Sequence, residues 1–219
     1  MDAQFWDERY RNHEHMFSGN PNGVLVTEAA GLPPGRALDV GCGEGGDAIW
    51  LARRGWRVTA VDISQVALDR AAAAYTAATG GSADGAGADG PAGASGSFGG
   101  MVCVRADLTV DAPPAGPFDL VSVHYLPLPR TPDHAALRRL LDTVAPGGTF
   151  LFAGHDLAGL PPATELGIDP TGFYQPHEIA ALLDDGWTVL VDETRPRTVP
   201  APPGTHHTHD TVLLARRVS

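Results

Sequence analysis

The sequence predicts an α/β chain: a doubly wound, mostly parallel, seven-stranded sheet that closes with a C-terminal antiparallel hairpin. Three observations carry this expectation. Short apolar runs alternate with segments whose apolar residues recur at helical spacing. The first of these runs opens onto the glycine-rich stretch Gly41-Cys42-Gly43-Glu44-Gly45-Gly46. The last two β-type runs have no helix-type segment between them, so they should pair antiparallel.

Taken in order, Arg36–Gly41 (RALDVG) followed by Asp47–Arg54 (DAIWLARR) reads as strand, tight turn and helix. The same grammar recurs in a strand at Arg57–Val61, a helix around Ser64–Ala78, strands at Val102–Arg105 and Phe118–Val123, and a helix around Pro132–Val144. A fifth strand at Thr149–Ala153 precedes a helix starting at Pro176-His177-Glu178, with proline in the first turn, where its missing N–H costs nothing. Thr188–Glu193 and Asp210–Arg216 supply the hairpin at one edge. Residues 79–100 are rich in glycine and alanine, with Phe98 as their one large apolar side chain, and cannot bury enough surface to order themselves. They read as a disordered insertion on the sheet edge opposite the carboxyl ends of the strands, where ligands bind in such folds.

At 219 residues and 43% hydrophobic content, one domain with one core is expected, with residues 1–24 as an N-terminal lid segment. No charged start leads into an apolar run, and no stretch approaches the ~20 apolar residues of a membrane helix, which predicts a cytoplasmic protein without a membrane partner. Cys42 and Cys103 are too few for a disulfide framework or a structural zinc site and read as small hydrophobes. The formal net charge of −11 opposes the counterion release that drives nucleic-acid binding. The Asn/Asp-Pro-Pro-Tyr/Phe stretch that holds a flipped base is also missing. All 15 basic residues are arginine, which removes P-loop, Schiff-base and lysine-assisted chemistries together.

The glycine stretch satisfies G-x-G-x-x-G, and Asp62 lies 21 residues after Gly41, so spacing alone admits a dinucleotide. Charge argues otherwise: Asp39 before the loop and Glu44 within it would crowd a pyrophosphate. A cationic ligand suits the loop better. S-adenosylmethionine carries a sulfonium and an ammonium, and its single carboxylate can meet backbone N–H groups at the start of the following helix. Asp39 is placed to accept from the ammonium, Asp62 from the ribose hydroxyls, and Asp107, after the third strand, from the adenine amino group.

The stretches ALDVGCGEGGDAIWLA and GWRVTAVDIS resemble the first two motifs of class I methyltransferases. FWDERY, FSGNPN, the GHD at Gly154–Asp156 and the closing DTVLLARR are similar to the small bacterial thiopurine and tellurite-resistance methyltransferase group. The resemblance covers nearly the whole chain except residues 79–100 and implies a Rossmann-like fold with S-adenosylmethionine as cofactor. Relatives often carry arginine and asparagine after the glycine loop, where this chain has Gly46 and Asp47.

The expected cofactor contacts are Trp6, Tyr10, Asp39, Gly41, Gly43, Asp62, Ile63, Asp107, Leu108 and His124. In-line methyl transfer needs alignment, exclusion of water and, for a neutral hydroxyl or amine, a proton acceptor. His124 and His155, at the ends of the fourth and fifth strands, are the candidates, each with a structural role as the alternative. Phe17, Tyr125, His155 and His209 are candidate substrate contacts. The cluster His206, His207, His209 and Asp210 splits across two strand faces, and no metal is expected there. Two flaps, Phe5–Asn22 and Pro196–Thr208, are expected to close over a compact acceptor. The chain should act as monomer or homodimer on a small molecule such as a thiol, hydroxyl or amine. A nicotinamide-dependent oxidoreductase and a catalytically silent cofactor-binding protein are the competing readings.

Overall fold

The computed structural model describes residues 1–80, 99–158, 169–199 and 207–218. Along the chain these form α1 (Ala3–Arg11), α2 (Gly23–Ala29), β1 (Arg36–Val40), α3 (Gly46–Arg53), β2 (Arg57–Asp62), α4 (Gln65–Thr79) and β3 (Met101–Arg105). There follow β4 (Phe118–His124), α5 (Ala135–Asp142), β5 (Val144–His155), α6 (Pro176–Ala180), β6 (Trp187–Pro196) and β7 (His209–Arg217). The strands form one seven-stranded sheet in the order β3-β2-β1-β4-β5-β7-β6. The first five run parallel, while β7 pairs antiparallel with both β5 and β6.

Strands covered on both faces read as continuous apolar runs, and their alternation divides the core in two. Ala37, Leu120, Leu151 and Val212 face one side, under α2, α3 and α4. Leu38, Val121, Phe150, Phe152 and Leu213 face the other, under α5 and α6. The order of the parallel strands reverses between β1 and β4, so their carboxyl ends flank the crevice in which such sheets bind ligands.

Several boundaries differ from those expected. Helix α5 starts at Ala135, not Pro132, because Asp133 caps the turn by accepting from Ala135 N and Thr131 Oγ1, and His134 adopts φ 53°. It stops at Asp142 because Val144 already belongs to β5 and pairs with Phe118. Strand β5 therefore begins at Val144, not Thr149, and absorbs Pro146-Gly147-Gly148 through a register shift, with Gly147 at φ 74°. Strands β6 and β7 are both longer than expected because each pairs along the other's whole length.

The N-terminal segment carries two helices that periodicity did not reveal. Asp2 caps α1 by accepting from Phe5 N, and α2 buries Val24, Leu25 and Ala29. At the far edge, Gly80 ends α4 in the left-handed region, and the chain returns pinned at Gly99, whose N–H donates to Ala52 O and whose carbonyl accepts from Tyr75 Oη. Residues 81–98 of the expected insertion lie outside the described residues.

Candidate functional site

The loop after β1 turns with Gly41 at φ 71°, Gly43 at φ 53° and Gly45 at φ 86°, values that L side chains rarely adopt. Gly41 and Cys42 both donate to Val61 O, which fixes the loop to the end of β2. A methyl on Gly43 would meet Tyr10 Oη at 3.1 Å and the Phe17 ring at 3.3 Å, so both aromatics lie over the loop. Tyr10 is buried, and burial beside Asp62 raises its phenol pKa; Phe17 is 55% exposed. Trp6 stands further along α1, edge-on to Phe5 and 6.5 Å from the Tyr10 ring.

The strand-end acids meet different fates. Asp39 is 2% exposed; its Oδ1 accepts weakly from Ser122 Oγ at 3.3 Å, and Oδ2 has no partner. Burial, then the nearby Asp47 carboxylate, raises its pKa. Asp62 Oδ2 accepts from Gly43 N and Oδ1 from Ser64 N, each at 2.9 Å. Burial raises the Asp62 pKa despite these donors. Asp107 Oδ1 accepts from Thr109 N and Oγ1 and so shapes the turn after β3. Ile63 and Leu108 are half-buried beside these acids, Leu108 packing against the β4 side of the core.

Glu44 does something the sequence reading did not foresee. Its Oε2 accepts from Met16 N and Phe17 N at 3.1 and 3.0 Å, and Oε1 pairs with Arg70 at 2.8 Å. Arg70 also donates to the carbonyls of Tyr10 and His13. The carboxylate therefore faces the N-terminal segment, not the loop's ligand side. Of the two acids weighed against a pyrophosphate, only Asp39 keeps that role. Gly46 extends the same latch, since a Cβ there would lie 2.7 Å from Asn20 O.

Asp47 completes it. Asn22 donates to Asp47 Oδ1 through its backbone N at 2.6 Å and to Oδ2 through Nδ2 at 2.9 Å. His124 Nδ1 lies 3.0 Å from the same Oδ2, with the ring out of line for a hydrogen bond, and its Nε2 has no partner. Burial alone would raise the Asp47 pKa; the His124 ring beside it and the Asn22 donors outweigh it and hold the carboxyl below its usual range. Asp39, Asp47 and His124 have ligand-type atoms within 4.8 Å of one another, close enough in principle for a cation. Both Asp47 oxygens already accept from Asn22, which suits a hydrogen-bonded anion better than a metal cage.

A second cluster stands on the β5 side. Tyr125 follows β4 with φ 54°, a strained value for a bulky residue, and its ring stacks on His155 at 4.4 Å. His155 stacks in turn on His207 at 3.8 Å. Tyr125 Oη donates to Asp210 Oδ1, which also accepts from Arg197, each at 2.9 Å. Burial, then the charges of His207 and Arg197, lowers the His155 pKa to about 3, so the ring is neutral at physiological pH. His209 lies outside this stack, its Nδ1 2.9 Å from Thr208 Oγ1. His206 and residues 200–206 of the expected second flap lie outside the described residues.

Sequence reasoning thus missed Asn22, Glu44, Asp47 and Arg70 as one latch, and Arg197 and Asp210 as anchors of Tyr125. The departure at Gly46-Asp47 was the available signal for the first. The second depends on the register that sets His155 opposite Asp210, which no local pattern encodes.

Residues 13–201 match the family model described as a methyltransferase domain. A thiopurine S-methyltransferase of Bordetella petrii is 38% identical over 74 residues, a match covering 32% of this chain and 34% of that protein. The match thus spans about a third of that relative's length. A structure from work on the conversion of a disulfide bond into a thioacetal group during echinomycin biosynthesis superposes with a TM-score of 0.69 at 22% identity, covering 99% of this chain and 92% of that one. The N-methyltransferase NodS of Bradyrhizobium japonicum WM9 in complex with S-adenosyl-L-homocysteine gives 0.62 at 16% identity, covering 100% and 90%. The [4+2]-cyclase SpnF also gives 0.62, at 19% identity and coverage of 99% and 95%. At these identities the superpositions establish the fold. Among the described residues no helix is long and apolar enough to cross a membrane.

Proposed function

The chain belongs to the methyltransferase-domain family, and from that premise we propose that it transfers a methyl group from S-adenosylmethionine to a small-molecule acceptor. The observation that carries this reading is the orphaned oxygen of Asp39, fully buried at the foot of a glycine loop. A buried carboxylate oxygen without a donor calls for a cationic ligand, and the cofactor's ammonium is one.

In this reading Asp39 holds the ammonium, and Asp62, anchored by Gly43 N and Ser64 N, directs its remaining lone pairs at the ribose hydroxyls. Asp107 keeps one oxygen for the adenine amino group, between Ile63 and Leu108. The glycine loop and the first turn of α3 offer backbone N–H groups to the cofactor carboxylate. When bound, the cofactor supplies the electrophilic methyl group, and the protein supplies alignment and dryness. Tyr10 and Phe17 over the loop exclude water from above, and Trp6 extends that cover. Tyr125, His155 and His207 form the wall against which the acceptor rests. With its pKa near 3, His155 is a weak proton acceptor and serves as wall. His124, buried with Nδ1 facing Asp47, is the other candidate base where the acceptor must lose a proton.

Support for a thiol or similar soft nucleophile comes from the thiopurine S-methyltransferase among the relatives. The structural likeness to a cyclase means that fold alone does not assign methyl transfer. The test is incubation with methyl-labelled S-adenosylmethionine and a panel of small thiols, phenols and amines. Label transferred to one class, and reduced in Asp39→Asn at cofactor concentrations below saturation, is the expected result. Tight NAD binding without S-adenosylhomocysteine binding would reverse the assignment.

A further inference from the structure

Asp47 joins three parts of the molecule. It sits in the first turn of α3, where the helix dipole favours a negative charge. Its carboxylate accepts from both the backbone and the side chain of Asn22, the residue that caps α2 and ends the segment lying over the glycine loop. It also faces Nδ1 of His124, the last residue of β4, at 3.0 Å. Both side chains are buried: Asp47 is 6% exposed and His124 8%.

An unprotonated Nδ1 at 3.0 Å from a carboxylate oxygen would oppose two lone pairs, so this nitrogen carries the proton. The lone pair of a neutral ring then lies on Nε2; neither ring nitrogen makes an aligned hydrogen bond. We infer that Asp47 is a positioning residue for the transfer proposed above: it fixes the tautomer and orientation of His124, and through Asn22 it makes that orientation depend on the seating of the N-terminal segment. The inference rests on the methyl-transfer reading for its kinetic consequence and on the geometry alone for the tautomer.

When residues 13–22 leave the loop, Asp47 loses both Asn22 donors, and its carboxylate is free to turn away from the ring. The orientation of the His124 ring is then held only under a seated segment. The backbone carbonyl of Asn20 over Gly46 and the Glu44 contacts to Met16 and Phe17 bring the segment down to the same place.

The test is nitrogen NMR of the full chain labelled with 15N-histidine at pH 8.5, with His124 assigned by the signal lost in His124→Gln. In the wild type Nδ1 should carry the proton. In Asp47→Asn the amide keeps a carbonyl for Asn22 N–H and turns an NH2 to the ring, so the proton should move to Nε2. Should that variant not fold, Asn22→Ala, which retains the backbone donor, is read instead and should shift or split the His124 signal. Where the acceptor is a neutral hydroxyl or amine, kcat in Asp47→Asn should fall about 100-fold, the lower end of a general base's contribution. S-adenosylhomocysteine affinity should stay within a few-fold of the wild type. An unprotonated wild-type Nδ1, an identical His124 tautomer in Asp47→Asn, or an unchanged His124 signal in Asn22→Ala overturns the inference. A wild type that binds no S-adenosylhomocysteine overturns the functional reading while the tautomer still reports on the Asp47 contact.

Discussion

Replacing Asp39 by asparagine should stabilise the fold while weakening the cofactor. The substitution preserves shape and the bond from Ser122 Oγ, and removes a carboxyl that burial and Asp47 hold above its usual pKa. A carboxyl whose folded-state pKa is raised binds its proton more tightly when folded. Its contribution to stability is therefore full below the unfolded value of about 3.9 and declines as pH rises through the folded value. The asparagine variant, having no proton to lose, escapes that decline and can donate toward Asp47. A buried polar group without a partner costs about 1–3 kcal/mol, and for a chain of this length about 2–4 °C accompanies each kcal/mol. The variant should thus melt about 2–12 °C higher at pH 8 and no higher at pH 3. Loss of one charge-assisted bond should weaken S-adenosylhomocysteine by about 1.5–3 kcal/mol, roughly 10- to 150-fold. Thermal unfolding across pH and calorimetric titration read the two effects separately. A melting difference that is the same at pH 3 and pH 8, or an unchanged affinity, would refute the reasoning.

Asp62→Ala should lower S-adenosylhomocysteine affinity by about 150-fold or more, two lost charged bonds at about 1.5–3 kcal/mol each. It should also destabilise the loop, because Gly43 N and Ser64 N lose their acceptor; calorimetry and unfolding together check this. Gly46→Ala places a Cβ 2.7 Å from the backbone oxygen of Asn20 and so forces the N-terminal segment away. The melting temperature should fall and hydrogen exchange at residues 13–22 should accelerate. Glu44→Gln should speed exchange at Met16 and Phe17 and leave the protection of β1 and β4 unchanged, since its contacts lie outside the sheet.

The sheet was legible because parallel strands buried on both faces leave apolar runs, and because RALDVG and WRVTAVD end at glycines or acids that mark the ligand edge. Helix α2 was not, since seven residues between a proline-asparagine turn and a glycine-proline stretch give too few turns for periodicity to register. The entry into β5 was misplaced because Pro146-Gly147-Gly148 reads as a turn, whereas the strand carries it as an irregularity. Within the site, acids at strand ends could be placed from spacing alone. What they bond to could not: Glu44 and Asp62 are both acids near the loop, but one faces the N-terminal segment and the other the loop backbone. Pairs such as Asn22 with Asp47 and Tyr125 with Asp210 join residues 25 and 85 positions apart, and only the folded register brings them together.

The structure of the full chain with S-adenosylhomocysteine bound tests the central claim most directly. The account predicts the ammonium within hydrogen-bond distance of Asp39 Oδ2, the ribose hydroxyls on Asp62, Tyr10 and Phe17 over the ligand, and the vacated methyl position facing Tyr125 and His155. A ligand bound away from Asp39, or residues 5–22 packed on the opposite edge of the sheet, would contradict it.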